Sequence, residues 1–373
     1  MQSIGIIGVG SYLPEAIISN AEIGLGAGVT DEWIVRKTGI RERRRAAPHE
    51  ATSDLAVAAA RRALRRAGLT ADQLAYVVVA TSTPDHPQPA TAALVQHRIG
   101  ARRAAAFDVN AVCSGFVYAL KTVEKLLAGA AEGEPRHGLV IGADVYSRIL
   151  DYGDRRTAAL FGDGAGATVL GPVAPGLGLR EISLVSRGDA HHLIEVTAGG
   201  SRRPPSPQTV SDGDHWFRMD GRGVRSFVTR TLPYETGRLL RRAGVSPDAV
   251  RHFVPHQANG IMLAELWPDL GLHRAALHLT LERYANTGAA SVPVTLAEMD
   301  REGVAAPGDL VVLAAFGGGM SLGIALLNWA LGQRDGALPD GSAERHDGAP
   351  PPGVDSSAGH LLTVGDRLSP LAP

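Results

Sequence analysis

The sequence predicts an α/β protein made of two similar halves, and three observations carry that expectation. Helical and strand-like patterns alternate from the first residues onward. The runs LAYVVVAT and HGLVIGAD are continuously apolar, as strands are when helices cover both faces of their sheet. The order of the first half also recurs in the second: HFVP at 252–255 answers VVVA at 77–80, 175 positions on, and YANTGAA at 284–290 keeps that spacing from VNAVCSG at 109–115. LVVL at 310–313 then answers LVIG at 139–142 at a spacing of 171. A chain of 373 residues exceeds the size at which a single core usually stops growing. The expected division is 1–172 and 173–332, followed by a tail at 333–373.

The elements follow in order. Residues 4–9 read as a strand, 53–67 as a helix, 75–81 as a strand and 90–99 as a helix. Strand-like AAAFDV then gives way to CSGFVYALKTVEKLL, whose apolar Phe116, Val117, Leu120, Val123 and Leu127 recur at helical spacing. GDGAGA at 162–167 lacks the Lys-Ser/Thr of a phosphate loop and reads as a close-packing turn before the strand-like TVLG. Gly8 and Gly10 follow a strand, but Leu13-Pro14 stands where a dinucleotide fingerprint needs its third glycine. Residues 187–215 lack periodicity and are rich in turn formers, as a long functional loop or cap is. Residues 310–333 carry no charge through Gly332 and imitate a membrane span, yet Gly317, Gly318 and Gly319 cut the run into two buried strands about a tight turn. From Gln333 onward, Pro350-Pro351-Pro352, many glycines and few apolar residues mark a disordered extension.

Composition excludes several classes. Hydrophobic residues make up 45% and charged residues 20%, a globular balance. Lys plus Arg (37) nearly cancels Asp plus Glu (38), which gives nucleic-acid binding no electrostatic support. A lone cysteine, Cys113, rules out an intramolecular disulfide and a multi-thiolate metal site and fits a reducing compartment. The N-terminus MQSIGIIGVGSYLP has no basic n-region. A cytoplasmic location is the expectation.

Cys113 falls where a strand gives way to a helix, and a helix N-terminus favours a thiolate and lowers its pKa. The same position suits a small core residue. His256, in PHQANG, directly follows the strand VRHFVP and emerges at the strand end where open α/β sheets bind ligands. His191-His192 lacks a third ligand at metal spacing and reads as a surface pair. Asn286, in RYANTGAAS, follows another strand-like run and precedes small residues that allow close approach. A glycine N–H from Gly317–Gly319 facing a reacting carbonyl is half of an oxyanion hole. Cys, His and Asn in this order fit either cysteine-protease hydrolysis or acyl transfer with carbon–carbon bond formation. Neither protease signature surrounds Cys113.

These motifs resemble the β-ketoacyl-acyl carrier protein synthase III family of the thiolase superfamily. The residues that carry the resemblance are DEWIVRKTGIRER at 31–43, VNAVCSGFVYAL at 109–120, DRRTAALFGDGAGA at 154–167, VPHQAN at 254–259, YANTGAASVP at 284–293 and AFGGGMSLG at 315–323. The resemblance implies a five-layered αβαβα fold from two duplicated halves, and a homodimer. It implies Cys113 as the acylated nucleophile with His256 and Asn286 as partners, and the backbone N–H groups of Cys113 and Gly318 as the oxyanion hole. Acyl-CoA serves as a substrate, with no permanently bound cofactor and no metal. The resemblance further implies that malonyl on an acyl carrier protein loses carbon dioxide and condenses with the acyl-cysteine. Trp33 and Arg155 match positions that sandwich the CoA adenine, and Lys37, by register better than Arg36, meets its phosphates.

Three departures stand out. Gly260-Ile261-Met262 replaces a segment in which many members carry a carrier-docking arginine. Gln88 stands where a partner-subunit residue, often Phe, shapes the acyl pocket, which points to an unusual primer. The tail is long. Together they point to a specialised member, such as a polyketide-priming enzyme. The rival on the same fold is an acyltransferase that moves the acyl group to a hydroxyl or amine without decarboxylation.

Overall fold

A computed structural model describes residues 3–332, apart from 132 and 134. The tail expected to be disordered, 333–373, lies outside the described residues. Ten strands form two five-stranded sheets. We number them β1 (Ile4–Tyr12), β2 (Leu74–Ala80), β3 (Ala105–Val109), β4 (His137–Asp144), β5 (Gly164–Pro172), β6 (Gly178–Ser186), β7 (Val250–Pro255), β8 (Ala276–Leu277), β9 (Leu310–Gly317) and β10 (Ser321–Asn328). The first sheet has the order β1-β5-β4-β2-β3 and the second β6-β10-β9-β7-β8, so each strand has its counterpart five numbers later. Pairing repeats as well: β1–β5–β4 and β6–β10–β9 are antiparallel, whereas β4–β2–β3 and β9–β7–β8 are parallel. The segments matched by sequence spacing fall on β2 with β7, on β4 with β9, and on the paired entries into helices Gly115–Ala128 and Ser291–Arg301.

The sheets and three helix pairs make five layers. Helices Thr52–Ala67 and Thr91–Ile99 cover the outer face of the first sheet. Helices Gly115–Ala128 and Ser291–Arg301 lie between the sheets. Helices Gly221–Arg242 and Gly260–Leu266 cover the outer face of the second sheet. Side chains alternate accordingly, as strand geometry requires. Val77 and Val79 enter the outer core while Val78 and Ala80 enter the central one. On β9, Val311, Leu313 and Ala315 face the central core and Val312, Ala314 and Phe316 the outer one.

One expectation about irregular segments needs correction. GDGAGA is not a turn, because Gly164 to Ala167 already belong to β5. Its glycines do serve close packing: a Cβ on Gly166 would lie 2.5 Å from Val294 N and 2.6 Å from Pro293 C. Residues 187–215, expected as a long loop or cap without periodicity, contain short regular pieces: the 3-10 segment Gly188–Leu193, the short strand Ile194–Glu195 and the helix Pro207–Ser211. The uncharged run near the C-terminal end forms the hairpin β9–β10, and no described helix is long and apolar enough to cross a membrane.

Candidate active site

The backbone around Cys113 is shaped by local strain. After β3, Asn110 Oδ1 accepts from Val112 N at 3.2 Å, and Val112 adopts φ 48°, an unfavourable region for a β-branched residue. The 3-10 turn Val112–Ser114 then leads into the helix Gly115–Ala128, so Cys113 stands at the entrance of a buried helix. The glycine turn between β9 and β10 presses on this point. A Cβ on Gly317 would meet Cys113 N at 2.7 Å and Ser114 N at 3.1 Å. Ser114 Oγ lies 2.7 Å from Ser321 Oγ, which donates to Gly318 O at 2.9 Å, fastening the two turns together.

The expected lowering of the thiol pKa is overturned. Cys113 is 6% exposed, and burial, aided by the charge of Asp144, pushes its pKa up to about 12. A hydrogen bond with the Tyr146 side chain works against that rise without cancelling it. Desolvation of the charged form outweighs the helix-end effect on which the expectation rested.

His256 follows β7 and donates its backbone N–H to Ala314 O at 2.7 Å. Its Nδ1 lies 2.6 Å from Ser291 Oγ, and its ring meets Phe316 edge-on at 5.1 Å. The ring is 2% exposed, and burial lowers its pKa to about 3, so the imidazole is neutral. Gln257 locks the next residue in place: Nε2 donates to Pro255 O and Oε1 accepts from Thr280 N.

Asn286 does not follow a strand, as its sequence context implied. It follows the short helix Leu281–Tyr284 through Ala285, whose φ is 56°. Its backbone bridges Phe161, donating to Leu160 O at 2.9 Å and accepting from Gly162 N at 3.0 Å. Asn286 Oδ1 accepts from Gly288 N at 2.9 Å, which leaves Nδ2 without a hydrogen bond among the described residues. A Cβ on Gly288 would strike Asp144 Oδ2 and, at 2.5 Å, Tyr146 Cε2. The turn Gly288–Ala290 packs on the turn Val112–Ser114. Phe316–Gly317 links the His256 ring to the Cys113 N–H, and Gly288 with Tyr146 links the Asn286 loop to the thiol.

Sequence reasoning missed the groups that surround these three. Asp144 ends β4 fully buried, and burial raises its pKa against hydrogen bonds that lower it. Tyr146 stacks on Phe161 with ring centroids 4.3 Å apart, and Phe217 closes on both rings edge-on at 5.5 and 4.9 Å. The signal available in the sequence was an acidic residue at the C-terminal end of a parallel strand, the sheet edge where ligands bind.

The remaining sequence candidates lie farther out. The antiparallel strand pair Ala16–Ser19/Glu42–Arg45 and buried Arg43, which donates to Asn20 Oδ1 and Ala159 O, hold the excursion that carries the helix Asp31–Thr38. On that helix half-buried Trp33 has the guanidinium of exposed Arg155 5.9 Å from its ring centroid. Asn259, three residues after His256, donates to Lys37 O at 3.0 Å, while the side chains of Arg36 and Lys37 are exposed. Gln88 is exposed between β2 and the helix Thr91–Ile99. His191 and His192 are exposed and sit edge-on to each other at 5.9 Å, and no cluster of three potential metal ligands occurs among the described residues.

Comparison with known proteins points the same way as the fold. Residues 107–188 match the family model described as 3-oxoacyl-[acyl-carrier-protein] synthase III, and residues 240–329 match its C-terminal model. The chain is 55% identical over 326 residues to the acetoacetyl CoA synthase NphT7 of Streptomyces sp. (strain CL190), covering 87% of this chain and 98% of that protein. It is 43% identical over 329 residues to a β-ketoacyl-[acyl-carrier-protein] synthase III of Symbiobacterium thermophilum, covering 88% and 99%. The crystal structure of the 3-oxoacyl-(acyl carrier protein) synthase III of Pseudomonas aeruginosa PAO1 superposes with a TM-score of 0.80 at 37% identity, covering 89% of this chain and 100% of that one.

Proposed function

The chain belongs to the β-ketoacyl-[acyl-carrier-protein] synthase III family of condensing enzymes, and from that premise we propose which of its residues carry the reaction. Cys113 attacks an acyl-CoA thioester, and CoA leaves as a thiol with the proton the cysteine gives up. A malonyl thioester then loses carbon dioxide, which places negative charge on its thioester oxygen. His256 and Asn286 hold that enolate. The carbanion attacks the acyl-cysteine, the backbone N–H groups of Cys113 and Gly318 receive the second oxyanion, and collapse releases the 3-ketoacyl thioester and the Cys113 thiolate, which takes up a proton from solvent.

One observation carries this assignment. Both side-chain donors are already committed on their acceptor side. Ser291 Oγ lies 2.6 Å from His256 Nδ1 and has no other acceptor for its proton among the described residues, so it donates to Nδ1 and the proton of the neutral ring sits on Nε2. Gly288 N occupies Asn286 Oδ1 and leaves the amide Nδ2 to donate. Two fixed neutral donors suit an enolate oxygen, and a pure acyl transfer to a hydroxyl or amine has no use for them.

Trp33 and Arg155 are assigned to the CoA adenine and Lys37 to its phosphates, with no permanent cofactor. We assign residues 1–172 and 173–332 to the two thiolase-like halves, the first supplying cysteine and the second histidine and asparagine. A homodimer in which Gln88 enters the partner's acyl pocket agrees with its exposure and with the unpaired outer edge of β3. The single cysteine and the CoA substrate fit the cytoplasm. The rings of Tyr146, Phe161 and Phe217 beside the thiol favour a short primer such as acetyl, whether for fatty acid or polyketide priming.

Carrier protein is the family's malonyl carrier, and one observation favours CoA in its place here. Arg225, an exposed cation beside the helix Gly260–Leu266, is ion-paired with Glu265 on that helix, and the segment Gly260-Ile261-Met262 offers no arginine of its own. The similarity to a protein named acetoacetyl CoA synthase agrees. Incubation with acetyl-CoA and either malonyl-CoA or malonyl-carrier protein tests both readings. Carbon dioxide release with a 3-ketoacyl product is expected, and the carrier is read from which malonyl donor is consumed. Acylation of Cys113 with no carbon dioxide from either donor would move the assignment to simple acyl transfer. Cys113→Ser must lose the acyl mass increment.

A further inference from the structure

Asp144 is a completely buried carboxylate to which the condensation assigns no part, yet it receives five hydrogen bonds. Thr81 Oγ1, Ser82 N, Ser82 Oγ and Thr83 Oγ1 donate to Oδ1 at 3.1, 2.9, 3.1 and 2.9 Å, and Ala289 N donates to Oδ2 at 2.8 Å. A carboxylate so surrounded is an acceptor only. Ser82 Oγ also lies 2.9 Å from the Tyr146 hydroxyl. That hydroxyl neighbours the Cys113 thiol and favours its charged form, and the ring that carries it is 1% exposed and clamped by Phe161.

Proton counting fixes the directions. Ser82 has one hydroxyl proton and gives it to Asp144. Its oxygen is therefore free to accept from Tyr146, and with that proton so placed the Tyr146 oxygen accepts the S–H of the resting cysteine. When the sulfur carries negative charge, the Tyr146 hydroxyl has a stronger acceptor than Ser82 and turns to it, because a hydrogen bond to an ionised group outweighs one to a neutral hydroxyl. The sulfur meets this demand twice per cycle, when it attacks acyl-CoA and when it leaves the ketoacyl product.

We infer that Tyr146 is a further catalytic residue, a hydroxyl that switches from accepting the Cys113 S–H to donating to the charged sulfur, with Ser82 and Asp144 as positioning residues that hold it ready. The inference rests on Cys113 as the acylated nucleophile. Its direct contact is with the sulfur, whereas His256 and Asn286 serve the malonyl oxygen.

Two variants of the full-length protein test it through alkylation of Cys113 by iodoacetamide, followed by intact mass at pH 7–10, with thermal unfolding as a check on folding. Tyr146→Phe keeps the ring stack and removes only the hydroxyl, and it is expected to alkylate about tenfold more slowly at pH 8, the usual scale for one hydrogen bond to a charged group. Ser82→Ala removes the competing acceptor, leaves Tyr146 free to donate to sulfur throughout, and is expected to alkylate at least as fast as the wild type. General damage to the site slows both variants together. Equal rates for Tyr146→Phe and the wild type, or equal slowing of both variants, would overturn the switch. Acetylation of wild-type Cys113 by acetyl-CoA, measured in the same preparation, reports separately on the nucleophile, so a failure there is not confused with a failure here.

Discussion

Burial of a titratable ring makes the stability of the molecule depend on pH in a direction that can be stated. The His256 pKa falls from 6.5 to about 3 on folding, and that of His278, beside His252, falls to about 4. Between those values and 6.5 the unfolded chain binds protons that the folded chain refuses, so stability is lost as pH falls through this window. Replacing His256 with Asn removes its share of the slope. Urea unfolding at pH 6.5 and 4.5 is expected to show the wild type losing more stability than His256→Asn, by up to about 1.4 kcal/mol per pH unit. Parallel losses in the two proteins would show that His256 is not held neutral. Cys113, His256 and Asn286 could be proposed from the sequence because each stands in a motif near the end of an element. The protonation states were not, since they depend on Ser291, Asp144 and Tyr146, which reach the site from distant parts of the chain. Helix position alone gave the wrong sign for the cysteine, because a local field argument omits the loss of water around it.

At the scale of elements, the central helices approach the sheets where strands carry glycine. Gly142 on β4 lies under Ala289, Gly166 on β5 under Pro293 and Val294, and Gly323 on β10 under Val117. At Gly142 and Gly166 the neighbour is backbone, which cannot turn aside as a side chain can. Gly166→Ala is therefore expected to destabilise the protein by about 3 kcal/mol, the upper range for overpacking. Chemical denaturation measures it, and a loss below about 0.5 kcal/mol, the scale of an ordinary surface change, would mean that the helix shifts freely. The glycines of GDGAGA were legible as close-packing residues but not as strand residues, because a small residue without a side chain weakens the period-two pattern by which strands are read. Residues 187–215 illustrate the converse. Their 3-10 segment, short strand and five-residue helix are each too brief to show a period, and they are held by long-range bonds such as Arg187 N to Met320 O at 2.7 Å.

The duplicated halves share one interior, which makes their stabilities inseparable. The helix Gly115–Ala128, from the first half, packs on β6, β9 and β10 as well as on its own sheet. The helix Ser291–Arg301, from the second, packs on β1, β4 and β5. Val117, Leu120 and Val123 thus join Val292, Leu296 and Leu313 in a single buried cluster. Cut at residue 172, the first half loses the helix that fills the groove over Gly142 and Gly166, and one face of its sheet becomes an open apolar surface. The sequence repeat announces two units of similar order, but it cannot announce that each unit covers its neighbour. Residues 1–172 alone are expected not to fold cooperatively, and the full chain is expected to unfold in one transition although its signals come from both halves. Trp33 reports on the first half, and Trp216, Trp267 and Trp329 on the second. Fluorescence of a variant retaining only Trp33, of one lacking only Trp33, and far-ultraviolet circular dichroism should give coincident urea midpoints. Separate midpoints, or a cooperative transition from the isolated first half, would show that the interface between the sheets contributes less than each half supplies for itself.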